Sequence, residues 1–301
     1  MRPLLKWVGG KRQLLPVLRR YYPAQFGSYI EPFFGSGAVF FDLRHHQRLD
    51  DRRVILIDSN PDLIGCYEAV RDRPDTVADE LDRLARGHAR GGRAYYYAVR
   101  DTRFNPLRAK GRSADGRIAY TPALAAMLIY LNRTGFNGLF RVNARGAFNV
   151  PAGRYERPRI ADRARLHDVS RALSAPGVVL KWGTFTDALG TAAAGDFLYI
   201  DPPYAPISET ASFTAYTAPR FGDEEQGQLQ QMVIALVRRG CHVLVSNSTA
   251  PAITALYDHN PEATAAGLRA LRVPARRAVN SNASKRGPVE EYVITNLELR
   301  T

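Results

Sequence analysis

Asp201-Pro202-Pro203-Tyr204 sets a carboxylate, two rigid prolines and an aromatic ring in a row, directly after the apolar run Phe197-Leu198-Tyr199-Ile200. Such a run predicts a buried parallel strand, and proline, which has no N–H for the ladder, must end it. Asp201 then falls at the carboxyl end of a strand, the edge on which open α/β sheets hold their ligands. The prolines stiffen the backbone, and Tyr204 offers a flat face beside the carboxylate. In isolation these four residues also describe an ordinary proline turn, so the rest of the chain has to decide.

A second group points to a nucleotide-like ligand. Tyr29-Ile30-Glu31 reads as a short strand, Pro32-Phe33-Phe34-Gly35-Ser36-Gly37 as a glycine turn, and the apolar residues from Ala38 as a helix. Glycines at such a turn let backbone approach a bound molecule closely. The full dinucleotide fingerprint is missing, so pyrophosphate recognition does not follow. Val54 to Asp58 is the next strand, and Asp58 lies 21 positions past Gly37. That is the spacing at which an acidic side chain meets ribose hydroxyls. The opening Leu5-Lys6-Trp7-Val8-Gly9-Gly10-Lys11 adds an indole, two glycines and two lysines before a helical stretch, Gln13 to Tyr21. By itself it is also what a simple turn looks like.

A third group could read bases. Asn132 to Asn143, a turn at Ala144-Arg145-Gly146-Ala147, and Phe148 to Tyr155 predict a β-hairpin or ribbon presenting Asn, Arg and aromatic side chains. Asn bonds adenine edges and Arg guanine edges, while aromatics wedge or stack. A basic solvated loop over buried aromatics would carry the same residues.

The elements that must position these groups alternate. Strands are predicted at Tyr29–Glu31, Val54–Asp58, Val178–Trp182, Phe197–Ile200, His242–Asn247, Ala270–Arg272 and Glu291–Asn296, with helices at Leu63–Ala85, Ala123–Leu131, Arg163–Leu173 and Glu224–Arg239. This is the pattern of an α/β doubly wound sheet. Residues 62–175 interrupt the alternation and read as an inserted recognition domain between the two parts, 1–61 and 176–301, of a catalytic domain. The polar stretch Ala205 to Tyr216 beside Tyr204 reads as a lid.

Composition agrees. The chain has 301 residues and a formal charge of +13, which favours a polyanionic partner, nucleic acid first. Arginine-rich genome bias would also raise that total, but the distribution is uneven. Between Arg100 and Arg159 twelve basic residues face three acidic ones, a net +9. Cys66 and Cys241 stand in no metal spacing, so zinc sites and disulfide scaffolds are not expected. No stretch reaches the length of a membrane span, and the opening has no long apolar region. A reduced, cytoplasmic protein is expected.

At this point the chain resembles the Dam-type DNA adenine-N6 methyltransferases, which use S-adenosylmethionine. The motifs that carry the resemblance run in order: Leu5 to Lys11; Glu31 to Gly37; Asp58-Ser59-Asn60; Leu131-Asn132-Arg133-Thr134-Gly135-Phe136-Asn137-Gly138-Leu139-Phe140-Arg141; Phe148-Asn149-Val150-Pro151; Asp201 to Tyr204; and Thr210 to Thr214. The Asp-Pro-Pro-Tyr motif is shared with other amino methylases, whereas the hairpin motif is much narrower. The resemblance implies a Rossmann-like methyltransferase sheet, mostly parallel with an antiparallel edge, with an inserted, mainly helical recognition domain carrying a β-hairpin.

It also implies roles. Trp7, Gly9, Lys11, Glu31, Phe33, Gly35, Ser36, Gly37, Asp58, Phe185 and Asp201 would bind the methyl donor. Lys6, Arg133, Phe136, Asn137, Leu139, Arg141 and Pro151 would meet double-stranded DNA, with GATC as the target. Phe136 stands where some relatives carry Tyr, which keeps a ring and removes a hydroxyl. Asp201, Pro202 and Tyr204 would act on an adenine flipped from the duplex. The carboxylate and the Pro202 carbonyl would accept from the amino hydrogens while Tyr204 stacks on the base. No metal and no membrane are implied. A monomer near nucleoid DNA is, and the resemblance leaves room for a cognate restriction endonuclease. Three other readings use many of the same residues: a cytosine-N4 methylase, a glutamine methylase of proteins (which would typically carry Asn in place of Asp201), and a non-catalytic DNA-binding relative.

Overall fold

In the computed structural model, residues 2–7, 9–205, 221–276 and 288–299 are described. The expected lid over Ala205 to Tyr216 falls outside them beyond Ala205, as do Arg277, Lys285 and Arg286. In chain order the main elements are β1 (Tyr29–Glu31), α1 (Ala38–His45), β2 (Val54–Asp58), α2 (Pro61–Asp72), α3 (Pro74–Ala98), α4 (Pro122–Thr134), α5 (Arg163–Leu173), β3 (Val178–Trp182), β4 (Phe197–Ile200), α6 (Asp223–Arg238), β5 (His242–Ser248), β6 (Arg269–Arg276) and β7 (Pro288–Thr295). The strands form one seven-stranded sheet of order β3-β2-β1-β4-β5-β7-β6. β1 pairs in parallel with β2 and β4, and β4 with β5. β7 runs antiparallel to both its neighbours, β5 and β6. The sheet is mostly parallel with an antiparallel edge, as the resemblance implies. β4 is paired on both sides, so all four of its residues are buried, which explains a strand of uninterrupted apolar residues.

The chain divides into two compact units. One comprises Lys11–Phe34, Gln47–Ser59 and Gly183–Thr301. Its core gathers Ile30, Ile55, Ile57, Leu198, Ile200 and Val243 from the strands, packed with Leu229 and Val233 from α6. The other comprises Met1–Gly10, Gly35–His46 and Asn60–Trp182, and its interior is rich in large aromatics such as Tyr67, Tyr96, Phe104, Tyr130 and Phe148.

Helix ends follow local chemistry. The Asn60 side chain accepts from Asp62 N and Leu63 N at the start of α2, where Pro61 needs no N–H partner. Thr121 caps α4 in the same way. The single helix expected over Leu63–Ala85 is instead two. Pro74 disfavours helical backbone at the residue before it, and Arg73 sits at φ −139°, ψ 52° between α2 and α3. The expected hairpin of the inserted segment is a ribbon held by two isolated antiparallel bridges, Gly135 to Ala152 and Val142 to Phe148. Its turn is closed by Gly146 N to Asn143 O (2.8 Å) and Asn143 N to Ala147 O (2.9 Å). Arg108 donates to the Gly146 carbonyl and forks onto Asp62 at 2.6 and 2.7 Å, tying that turn to the start of α2.

Candidate functional site

The turn after β4 gathers charged and aromatic side chains. Lys11 Nζ lies 2.8 Å from Asp201 Oδ1, and the ammonium also sits 4.3 Å from the centre of the Tyr204 ring. The Tyr204 hydroxyl donates to Glu291 Oε2 at 2.7 Å. Glu291 reaches the site because β7 registers it opposite Ser248 on β5. The Lys11 side chain is 6% exposed and that of Asp201 20%, so the carboxylate keeps one open side while its Oδ1 is fully buried. Lys11 is the ion-pair partner of that oxygen. Burial pushes the Asp201 carboxyl up to about 6, against the lowering effect of Lys11 and with a further rise from Glu291. Burial, together with Asp201 and Glu291, lifts the Tyr204 hydroxyl well above its ordinary value, so it remains a donor.

The backbone of this turn is held from behind. Gln226, fully buried on α6, donates to the Pro203 carbonyl at 2.9 Å and accepts from Asn247 at 3.1 Å. Ser248 Oγ donates to the Ala205 carbonyl at 2.8 Å. The carbonyls of Pro203 and Ala205 are therefore occupied; among the described residues no donor bonds that of Pro202. A proline turn alone would not need three buried polar residues to fix it.

The same unit holds an aromatic cluster at the strand ends. Phe33 and Phe185 stack with ring centres 5.5 Å apart, and Phe221 meets both edge-on at 5.5 and 5.6 Å. All three are partly exposed. Asp58 ends β2 with its carbonyl accepting from Gly183 N at 3.1 Å, which sets the start of the Phe185 loop beside it. Glu31 is buried and accepts from the Tyr29 hydroxyl at 2.7 Å. These groups suit an adenosine: partly open ring faces for a purine, and a carboxylate at the end of the second strand for ribose hydroxyls.

The remaining donor-site expectations lie in the other unit. Gly37, in left-handed conformation at φ 70°, starts α1, and the Tyr67 hydroxyl donates to the buried Ser36 at its carbonyl (3.1 Å). Gly35 is also left-handed at φ 48°. Trp7 stacks on Phe140 with centres 5.8 Å apart, its carbonyl accepting from Gly10 N, and Gly9 is exposed between them in sequence.

The base-reading candidates of that unit fall close together. Phe136 N donates to the Pro151 carbonyl at 2.9 Å, so Phe136 and Pro151 are neighbours. Phe136, Asn137, Arg141 and Pro151 are exposed, and Leu139 is partly so. Asn137 at φ 53° and Gly138 at φ 65° make a left-handed pair in the turn. A Cβ on Gly138 would stand 2.4 Å from Lys6 Cβ, so glycine is required there twice over. Lys6 is exposed, with Nζ 4.3 Å from the Tyr155 ring centre. Arg141 Nε donates to Asn149 Oδ1 at 2.8 Å.

Arg133 is a correction. It is 7% exposed, and its guanidinium donates to the carbonyls of Ile160 (2.7 Å), Arg159 (3.3 Å) and Leu4 (3.4 Å). Burial lowers it to about 10, so it stays protonated. A guanidinium enclosed by main-chain oxygens shapes the unit from inside and does not meet DNA. Gln226, Asn247, Ser248, Glu291, Phe221 and Asn149 are the additions that sequence reading missed. Only Asn149 carried a signal, its place in the Phe148 to Pro151 motif.

Known proteins of one family match this chain over most of its length. The family model of D12 class N6 adenine-specific DNA methyltransferases matches residues 7–272. The type II methyltransferase M1.LlaDCHI of Lactococcus lactis subsp. cremoris is 36% identical over 299 residues, covering 98% of this chain and 95% of that protein. The type II methyltransferase M.MjaIII of Methanocaldococcus jannaschii is also 36% identical, over 307 residues, covering 98% and 99%. The DNA adenine methylase of Escherichia coli is 34% identical over 292 residues, covering 97% and 94%. With an Asp-Pro-Pro-Tyr turn at the central strand of its sheet, a family model matched over most of its length and relatives matched nearly end to end, this chain belongs to the D12 class of N6 adenine-specific DNA methyltransferases.

Proposed function

We propose that this protein transfers a methyl group from S-adenosylmethionine to the N6 amino group of an adenine flipped out of duplex DNA, within GATC. The observation that carries this reading is the Asp201 to Tyr204 turn, whose carboxylate is partly open and whose backbone is fixed by Gln226 and Ser248. The target assignment rests on the resemblance of Phe136 to Arg141 to the Dam-type motif. Residues 62–175 would recognise DNA in the cytoplasm, and 1–61 with 176–301 would carry the chemistry.

An adenine amino nitrogen is a poor nucleophile because its lone pair is delocalised into the ring. Asp201 and the Pro202 carbonyl would accept hydrogen bonds from its two hydrogens, drawing the nitrogen toward tetrahedral geometry and localising the pair. Tyr204, its hydroxyl held by Glu291, would stack on the base, worth about 1–3 kcal/mol toward a flipping cost of a few. Phe33, Phe185 and Phe221 would receive the adenine of the donor, and Asp58 its ribose. The donor supplies an electrophilic sulfonium methyl when bound. Attack by the held nitrogen would form the N–C bond as the methyl–sulfur bond breaks and a neutral thioether leaves. The nitrogen would then give up one proton by way of the Asp201 carboxylate to solvent. Holding the nitrogen in line would provide much of the acceleration.

The direct test is labelled-methyl transfer to short duplexes by purified protein, followed by base analysis. N6-methyladenine in GATC duplexes and none in duplexes lacking that site is the expected outcome. Label on cytosine, or none with folded protein, overturns the reading.

A pH dependence follows from the same carboxylate. Asp201 must be ionised to accept, and its carboxyl lies at about 6. kcat/KM should therefore rise as pH increases through about 6 and level off above it. The Lys11 charge lowers that value, so Lys11→Gln should move the acidic limb to higher pH. A limb unmoved by the substitution would remove Asp201 from the titration.

A further inference from the structure

Lys6 and the Phe136 to Leu139 turn stand some 130 residues apart in sequence, yet one buried amide joins them. Asn132, near the end of α4, is 2% exposed. Its Oδ1 accepts from Lys6 N at 2.8 Å, while its Nδ2 donates to the Lys6 carbonyl at 2.7 Å and to the Gly138 carbonyl at 2.8 Å. Both amide hydrogens are used, and Lys6 is bonded through its N–H and its C=O as a strand partner would be. Gly138 is the residue between Asn137 and Leu139, and it lies against the Lys6 side chain so closely that a Cβ has no room. The two segments cannot slide past one another while these bonds last.

The geometry points to Asn132 as a positioning residue for sequence discrimination: it fixes the register of Lys6 against the Asn137–Leu139 turn, so that two reading elements meet DNA as one surface. The inference rests on the proposed reading of DNA by those elements. Asn132 itself is buried and touches no base. Its effect is on where neighbouring side chains point, and a side chain displaced by a fraction of a hydrogen-bond length loses its base contact while keeping its charge. Discrimination should therefore fail before binding does.

The test measures kcat/KM for the full chain on the cognate duplex and on every single-base variant of it, for wild type, Asn132→Ala, Lys6→Ala and the double variant. Asn132→Ala should lose about tenfold of the preference for the cognate base at the pairs that Lys6 or the Asn137–Leu139 turn meets. Preference at the pair met by Arg141 should be retained, and so should KM for the methyl donor. The double variant should be no less selective at the Lys6 pair than the weaker single one, the non-additivity expected of residues acting as a unit. Asn132→Ser, which keeps a donor and an acceptor at shorter reach, carries the same comparison should Asn132→Ala not fold. An equal loss on all duplexes, with selectivity ratios unchanged, assigns Asn132 a merely structural role and overturns the inference. So do additive single effects. Wild-type protein that methylates no duplex overturns the functional reading itself, and the inference with it.

Discussion

Replacing Asp201 with Asn should reduce methyl transfer by roughly 10²–10³-fold or more, the range seen when one preorganised hydrogen-bonding group is removed from a reacting centre. The amide keeps the shape of the carboxylate but presents a weaker, neutral acceptor to the adenine amino group, and one of its termini is a donor that faces hydrogens. Binding of DNA should change little, because the residues proposed to read bases belong to another part of the chain. The fold should also survive. A carboxyl raised to about 6 by burial contributes stability that is fully present below the ordinary carboxylate range and lost as pH rises through about 6. At neutral pH the ionised form is thus a burden on the native state, and a neutral side chain relieves it. Lys11 loses its counter-charge but retains the Tyr204 ring face at 4.3 Å. Turnover under single-turnover conditions and thermal melting together test this. Near-normal transfer would remove Asp201 from the chemistry, and a collapse of the melting temperature would make it structural.

The second large effect is expected at Arg141. Its Nε is held by Asn149 at 2.8 Å, which pre-sets the plane of the guanidinium and leaves the two terminal nitrogens for a bidentate contact with a guanine. Arg141→Ala should cost about 1–3 kcal/mol at one base pair and relax preference there, with other positions unaffected. Asn149→Ala should reproduce part of that loss by freeing the plane. If instead Arg141→Ala weakens all duplexes alike and lowers the salt slope by about one, the side chain meets a phosphate.

How much of this was legible beforehand depended on whether a feature is local. β4 and its Asp-Pro-Pro-Tyr terminus are legible because an apolar run broken by proline has few alternatives. The two last strands are less so, β6 running Arg269–Arg276 where Ala270–Arg272 is expected and β7 Pro288–Thr295 where Glu291–Asn296 is expected. The break at Arg73 and Pro74 is equally local, since proline disfavours helix at the residue before it. Charge was a poorer guide. Arg108 and Arg133 contribute to the basic excess of the inserted segment, yet both are buried on internal partners, one on Asp62 and one on main-chain carbonyls. Composition registers a positive charge without saying which way it faces. Gln226, Ser248 and Glu291 were not legible at all. They reach the Asp201 turn only because α6 packs on the sheet and because β7 pairs with β5 in a register that sets Glu291 opposite Ser248. Such positions follow from tertiary packing and carry no mark in a motif.

The most direct measurement of the central claim is methylation mapping at single-base resolution. Plasmid would be taken from a methylation-free host expressing this protein, with an empty-vector control and the Asp201→Asn variant alongside. The account predicts N6-methyladenine at GATC sites with the wild-type chain and its absence in both controls. Soluble protein that leaves every adenine unmodified, or that marks cytosine instead, would contradict it.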